Sequence, residues 1–160
     1  MHKTKNDLPE TTRAKICELL NARLADAIDL QTQMKQAHWN VKGPHFIALH
    51  ELFDKINEEV EEYVDDLAER AVELGGTAMG TCRSVAKHSA LAEYPLQIWS
   101  GHDHVNAVST ALATFGRLTR AAIDQSDEMR DKGTADLFTG ISRGVDKWLW
   151  MVEAHALGES

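Results

Sequence analysis

Two pairs of side chains in the segment HFIALHELFDKINEEVEEYVDDLAER, residues 45–70, have the types and spacing that metal chemistry requires. His50 and Asp54 stand four positions apart, as do Asp65 and Glu69, so on a helix each pair converges on one point. An imidazole with carboxylates is a donor set for iron, and equally for zinc or manganese. The two pairs do not reach each other within one chain. From Asp54 to Asp65 is eleven residues, about 16 Å of helix at 1.5 Å per residue, against metal–ligand bonds near 2 Å. A two-fold axis removes the gap. If two copies pack these helices antiparallel, crossing near Glu59 and Val60, His50 and Asp54 of one face Asp65 and Glu69 of the other. Such isologous contact makes two identical sites per dimer, each with ligands from both chains.

The helix that carries these residues has an apolar stripe of Leu49, Leu52, Phe53, Ile56, Val60, Tyr63, Leu67, Ala71 and Leu74. His50, Asp54, Asp65 and Glu69 lie roughly 100° to 200° from its centre, so they are not ligands to the core of their own bundle. Ile47, Ala68 and Val72 share their side, as a self-associating face would have it. A solvated acidic face remains the competing reading on spacing alone, because Glu58, Glu59, Glu61, Glu62 and Asp66 crowd the same segment.

Four long helical patterns are expected, with no alternating β-branched run to suggest a sheet. The first covers about Pro9 to Ala37, with Ile16, Leu20, Leu24, Ala27 and Met34 inward. A turn at Asn40, Gly43 and Pro44 leads to the second, from about Pro44 to Leu74, which Gly75-Gly76 stops. The third starts near Ser100, where Asp103 completes a capping box, and the fourth near Thr134. The connection between the second and third is too long for a bundle turn and has room for a short helix around Arg83–Lys87. Short links flanking one long crossover give a ferritin-like connectivity, so the fold class is all-α, a ferritin-like four-helix bundle. The first hairpin brings His38 near His50 and Asp54, although a histidine at a helix end also serves simply as a cap.

Composition supports one domain. At 160 residues and 43% apolar, the chain can bury a sizeable core. It has no run of about 18 apolar residues to span a membrane. Its start lacks the apolar region of a secretory signal, and Cys17 and Cys82 match neither a zinc motif nor a disulfide scaffold. A reduced, semi-buried state for both and a cytoplasmic location are expected. The formal charge of −8 argues against a general nucleic-acid footprint.

The strings KQAHWNVKGPHFIALHELFD and DDLAERAVELGG resemble the Dps family of mini-ferritins, the DNA-binding proteins from starved cells. TADLFTGISRGVDKWLWMVEA and the YPL-x-I-W stretch extend the likeness from about Leu19 to Glu153. The resemblance implies a ferritin-like domain over residues 9–157, between a short flexible tail at 1–8 and a C-terminal tail at 158–160. It implies a ferroxidase centre at a dimer interface, with His38, His50 and Asp54 from one subunit and Asp65 and Glu69 from its partner. Trp39 would lie beside that centre and quench stray oxidising equivalents. The expected substrates are Fe(II) and hydrogen peroxide, and the expected assembly is a homo-dodecamer of two-fold dimers. Its role would be to store ferric mineral and protect against oxidative stress, with zinc as a competing ion. No Glu is followed three positions later by His, so an intrasubunit di-iron centre of the classical ferritin type is not expected.

Asp127, Asp131 and Asp136 are candidate lining for an iron-entry pore, with capping and solubility as the alternative. DNA binding and nucleoid association are less favoured: Lys3 and Lys5 are followed at once by Asp7 and Glu10. His45, His88, His102, His104 and His155 have no converging carboxylate in sequence. His102 and His104 are expected to be exposed around the start of the third long helix.

Overall fold

The computed structural model describes residues 1–157; the expected C-terminal tail at 158–160 lies outside them. Among the described residues five helices follow one another: α1 (Glu10–Asn40), α2 (Phe46–Glu73), α3 (Cys82–His88), α4 (Gly101–Glu128) and α5 (Lys132–Glu153). α1 packs along α2 and α4 along α5, each pair an antiparallel hairpin with a short link. The hairpins join chiefly through α1 against α4 and α2 against α5. Residues 74–100 form the long crossover, which carries α3 across α1.

Burial follows the apolar stripes. Ile16, Leu20, Leu24, Leu30, Met34, Phe53, Ile56, Leu67, Leu112, Phe115 and Phe138 are fully buried, each stabilising the bundle by about 1.5–3 kcal/mol relative to exposure. The stripe expected on α2 is buried except Leu52, which is half-buried, and it gains Asn57.

Helix ends have identifiable chemistry. Ser100 Oγ accepts from the Asp103 N–H at 3.1 Å and donates to Asp103 Oδ2, so Ser100 caps α4 as expected, with Asp103 bonded to its hydroxyl. α2 closes in a Schellman turn, with Gly76 N–H bonded to Ala71 O and Gly75 N–H to Val72 O, and Gly75 at φ +86°. The same turn ends α4 with Arg130 at φ +62°, a conformation costly for a residue with a Cβ. Two boundaries differ from expectation. α1 runs on to Asn40, so His38 and Trp39 lie in its last turn. α5 starts at Lys132 rather than Thr134, because Asp131 caps it by accepting from the Thr134 N–H at 3.0 Å.

The crossover is tied down by two carboxylates of α1 that periodicity cannot reveal. Asp26, fully buried, accepts from the Ala90 N–H at 2.7 Å and pairs with Arg23 at 2.8 Å. Asp29 accepts from the Ser89 hydroxyl at 2.6 Å, and Gln33 donates to Ala92 O at 3.1 Å. Burial pushes the Asp26 carboxyl up, against the Ala90 and Arg23 contacts that favour its charge.

Three sequence expectations are corrected. His104 is 1% exposed rather than solvated, its Nδ1 2.6 Å from the Tyr94 hydroxyl, because Tyr94 folds back from the crossover onto α4. Cys17 is fully enclosed and Cys82 exposed, where both were expected to be semi-buried. Asp131 is 3% exposed and saturated by Arg70 and Thr134, so capping describes it and pore lining does not.

Candidate metal centre

The last turn of α1 and the second turn of α2 face each other across the first hairpin. There the rings of His38 and His50 stack with centroids 3.7 Å apart and planes 19° apart. His38 Nδ1 lies 2.7 Å from His50 O, and His50 Nδ1 lies 2.7 Å from His38 O. A carbonyl can only accept, so both Nδ1 atoms carry the proton. In the neutral imidazoles the lone pair is then on Nε2, the tautomer a metal-binding histidine needs. The carbonyl of His38 is free for this because it belongs to the last turn of α1, whose carbonyls have no helical partner.

Asp54 lies one turn further along α2, half-buried like both histidines. Lys35 Nζ donates to its Oδ1 at 2.6 Å. That hydrogen bond holds the Asp54 carboxyl below its ordinary range; partial burial opposes the shift, and the charges of His38, Lys35 and His50 add to it. A cation thus already sits on this carboxylate. Lys35 was not anticipated from sequence, although its place three residues before His38 puts it on the same face of α1.

The structure brings His38, His50 and Asp54 into one neighbourhood. Asp65 and Glu69 remain exposed, further along α2. Among the described residues, no three His, Cys, Asp or Glu side chains converge to hold a metal ion within the chain. The donor set nonetheless fits iron: two imidazoles with Nε2 directed away from their backbone bonds, and a carboxylate held ionised. Trp39, the residue after His38, is 66% exposed, and Ile47 and Val72 on α2 are 60% and 55% exposed. Large apolar side chains this open are more often found where a partner covers them than on surfaces that stay in water.

The other candidates are dispersed. Asp127 is exposed and pairs with Lys132, and Asp136 is exposed. His45, His102 and His155 line one cavity of about 200 Å³ beside the α1–α2 turn. Lys3 and Lys5 are exposed on a segment whose His2 N–H donates to Gly75 O at 2.6 Å. No helix among the described residues is long and apolar enough to cross a membrane.

Two antiparallel hairpins with a crossover carrying a short helix define a ferritin-like bundle, and residues 17–157 match the ferritin-like domain model. The chain is 46% identical to a DNA protection during starvation protein of Agrobacterium fabrum, over 99% of this chain and 98% of that one. Its fold superposes on DpsC from Streptomyces coelicolor with a TM-score of 0.94, at 30% identity over 99% of this chain and 92% of that one. Against Mycobacterium smegmatis Dps the TM-score is 0.92, at 29% identity over 97% and 88%. The chain belongs to the Dps family of ferritin-like proteins.

Proposed function

We propose that this protein oxidises Fe(II) and stores the ferric product, with hydrogen peroxide as preferred oxidant, at a centre shared between two copies of the chain. His38, His50 and Asp54 of one copy bind iron together with the partner's Asp65 and Glu69. The observation that carries this reading is the reciprocal bonding of His38 and His50, which frees two Nε2 lone pairs where the described residues of one chain supply no complete site. The about 16 Å of helix between the ligand pairs, and the exposed Ile47, Val72 and Trp39, support a two-fold partner as the source of the remaining carboxylates.

Each group has a task. The imidazoles bind the metal through Nε2, with their rings held in place by the Nδ1 bonds. Lys35 holds Asp54 ionised until the metal takes its place. Carboxylates from the partner balance the charge of Fe(III), and positions left open admit the oxidant. Assembly into a dodecameric shell would then keep the hydrolysed product away from solvent, and peroxide consumption would protect the cell from oxidative stress.

The test is anaerobic titration of the assembled protein with Fe(II), followed by peroxide, read by ferric absorbance and by native mass. Prompt oxidation with two peroxide-reducing centres per dimer is expected. A protein that takes up Fe(II) no better than Asp65→Ala/Glu69→Ala, or that oxidises it no faster than buffer, refutes the reading. Zinc added before iron separates a ferroxidase from a shell that only binds metal.

A further inference from the structure

α2 carries a second pattern beside its ligand pairs. The four candidate ligands on it stand symmetrically about the point between Glu59 and Val60, with Asp54 and Asp65 as the inner pair and His50 and Glu69 as the outer. A two-fold axis through that point sets each residue against its counterpart on the partner. The exposed apolar residues obey the same centre: Ile47 and Val72, both more than half exposed, lie equally far from it, three residues beyond the outer ligands. At 100° per residue, positions 47, 54, 58, 61, 65 and 72 fall within an arc of about 60°. A second copy seated on the ligands therefore also lays its Val72 on Ile47 at each end of the seam.

One pair in this register is not complementary. Glu58 and Glu61 are the innermost positions of the arc, each about 2 Å along the helix from the crossing point. Both are exposed, and among the described residues no cation pairs with either. The two-fold sets Glu58 of each copy against the partner's Glu61, so four carboxylates meet where the helices cross. The nearby cations are placed elsewhere. Lys55 and Arg70 wind outside the arc, Arg70 pairing with Glu73 and Asp131, and Lys35 is bonded to Asp54, one turn before Glu58.

We propose that this carboxylate crossing is a brake on the pairing of two copies, released by screening ions and by iron in the centres on either side of it. The inference rests on the shared-centre reading above. Like charges set face to face oppose association, and salt screens them. The apolar contact of Ile47 with the partner's Val72 favours association without that dependence on charge. A metal held by ligands of both copies binds the pair and not the separate chains, so it offsets the repulsion. By the same linkage, weak pairing lowers the affinity for iron. Assembly and iron loading are then coupled through one seam.

Register and charge are tested separately. With the exposed Cys82 changed to serine, Ile47→Cys and Val72→Cys chains are co-refolded and oxidised, each variant alone serving as control. A disulfide-linked pair is expected from the mixture only, because two copies of position 47 would lie about 37 Å apart along the seam. Subunit exchange between isotope-labelled and unlabelled shells, freed of metal by chelation, is then read by native mass. Screening is short-ranged in about 1 M salt and long-ranged in about 10 mM. Exchange of the unmodified protein is expected to be about tenfold faster, or more, at low salt, and to slow when Fe(II) is added without oxygen. Glu58→Gln/Glu61→Gln should exchange slowly in both, whereas Asp66→Asn, exposed but outside the arc, should behave as the unmodified protein. If the cross-link forms but Glu58→Gln/Glu61→Gln exchanges as fast as the unmodified protein at low salt, the brake is overturned and the shared centre stands. Exchange that Fe(II) leaves unchanged overturns the coupling to iron. No cross-link from well-formed shells overturns the register, and with it both readings.

Discussion

Sharing of the metal centre between chains can be tested by complementation, with a yield that geometry fixes in advance. One variant, His50→Ala/Asp54→Ala, loses ligands at the start of α2; the other, Asp65→Ala/Glu69→Ala, loses those near its end. Each alone spoils both centres of its dimer. Since even outer-shell changes weaken metal sites 10–100-fold, removing two direct ligands should slow oxidation by about a hundredfold or more. In a mixed dimer the lesions segregate: one centre collects all the damage, and the other keeps His50 and Asp54 from one chain with Asp65 and Glu69 from its partner. Random co-assembly of equal amounts makes half the dimers mixed, so roughly a quarter of all centres are intact. The assay is the initial rate of ferric absorbance after co-refolding, with shell mass and helicity as controls. A rate near a quarter of the unmodified protein is expected. The control mixes His38→Ala with His50→Ala/Asp54→Ala. These lesions lie on the same half, as the stacked rings require, so no recovery is expected. Recovery in the control, or none in the first mixture from well-formed shells, would refute the shared centre.

Other perturbations have equally definite outcomes. Arg130→Gly removes the Cβ from a left-handed turn and should stabilise the fold by about 1 kcal/mol, seen as a raised thermal midpoint. Asp26→Ala strips the buried Ala90 N–H and Arg23 of their acceptor and should cost about 3 kcal/mol, with faster amide exchange over residues 89–92; unchanged exchange there would mean that Asp26 does not hold the crossover. Burial depresses the pKa of His104, so the unfolded chain binds more protons as pH falls below the ordinary histidine value. Stability should therefore drop from about pH 6.5 downward until the folded-state pKa is passed, and His104→Gln should flatten that part of the pH profile of thermal unfolding.

Much of this molecule is legible in its sequence because helices advertise themselves. A 3.6-residue apolar period, a helix cap at Ser100 and paired glycines at 75 and 76 are local signals, and each element appears within a few residues of its expected place. The spacing of His50, Asp54, Asp65 and Glu69 is local too, and simple helix geometry turns it into a statement about two chains. What the sequence could not determine depends on side chains meeting from distant positions. The same residue types that read as surface, Asp26, Asp131 and His104, are buried because the crossover and the α4–α5 turn bring partners to them. Whether a polar group is solvated or enclosed depends on what packs over it. The tautomers of His38 and His50 and the lysine on Asp54 likewise depend on how the facing turns of α1 and α2 meet side chain to backbone, which spacing alone does not give.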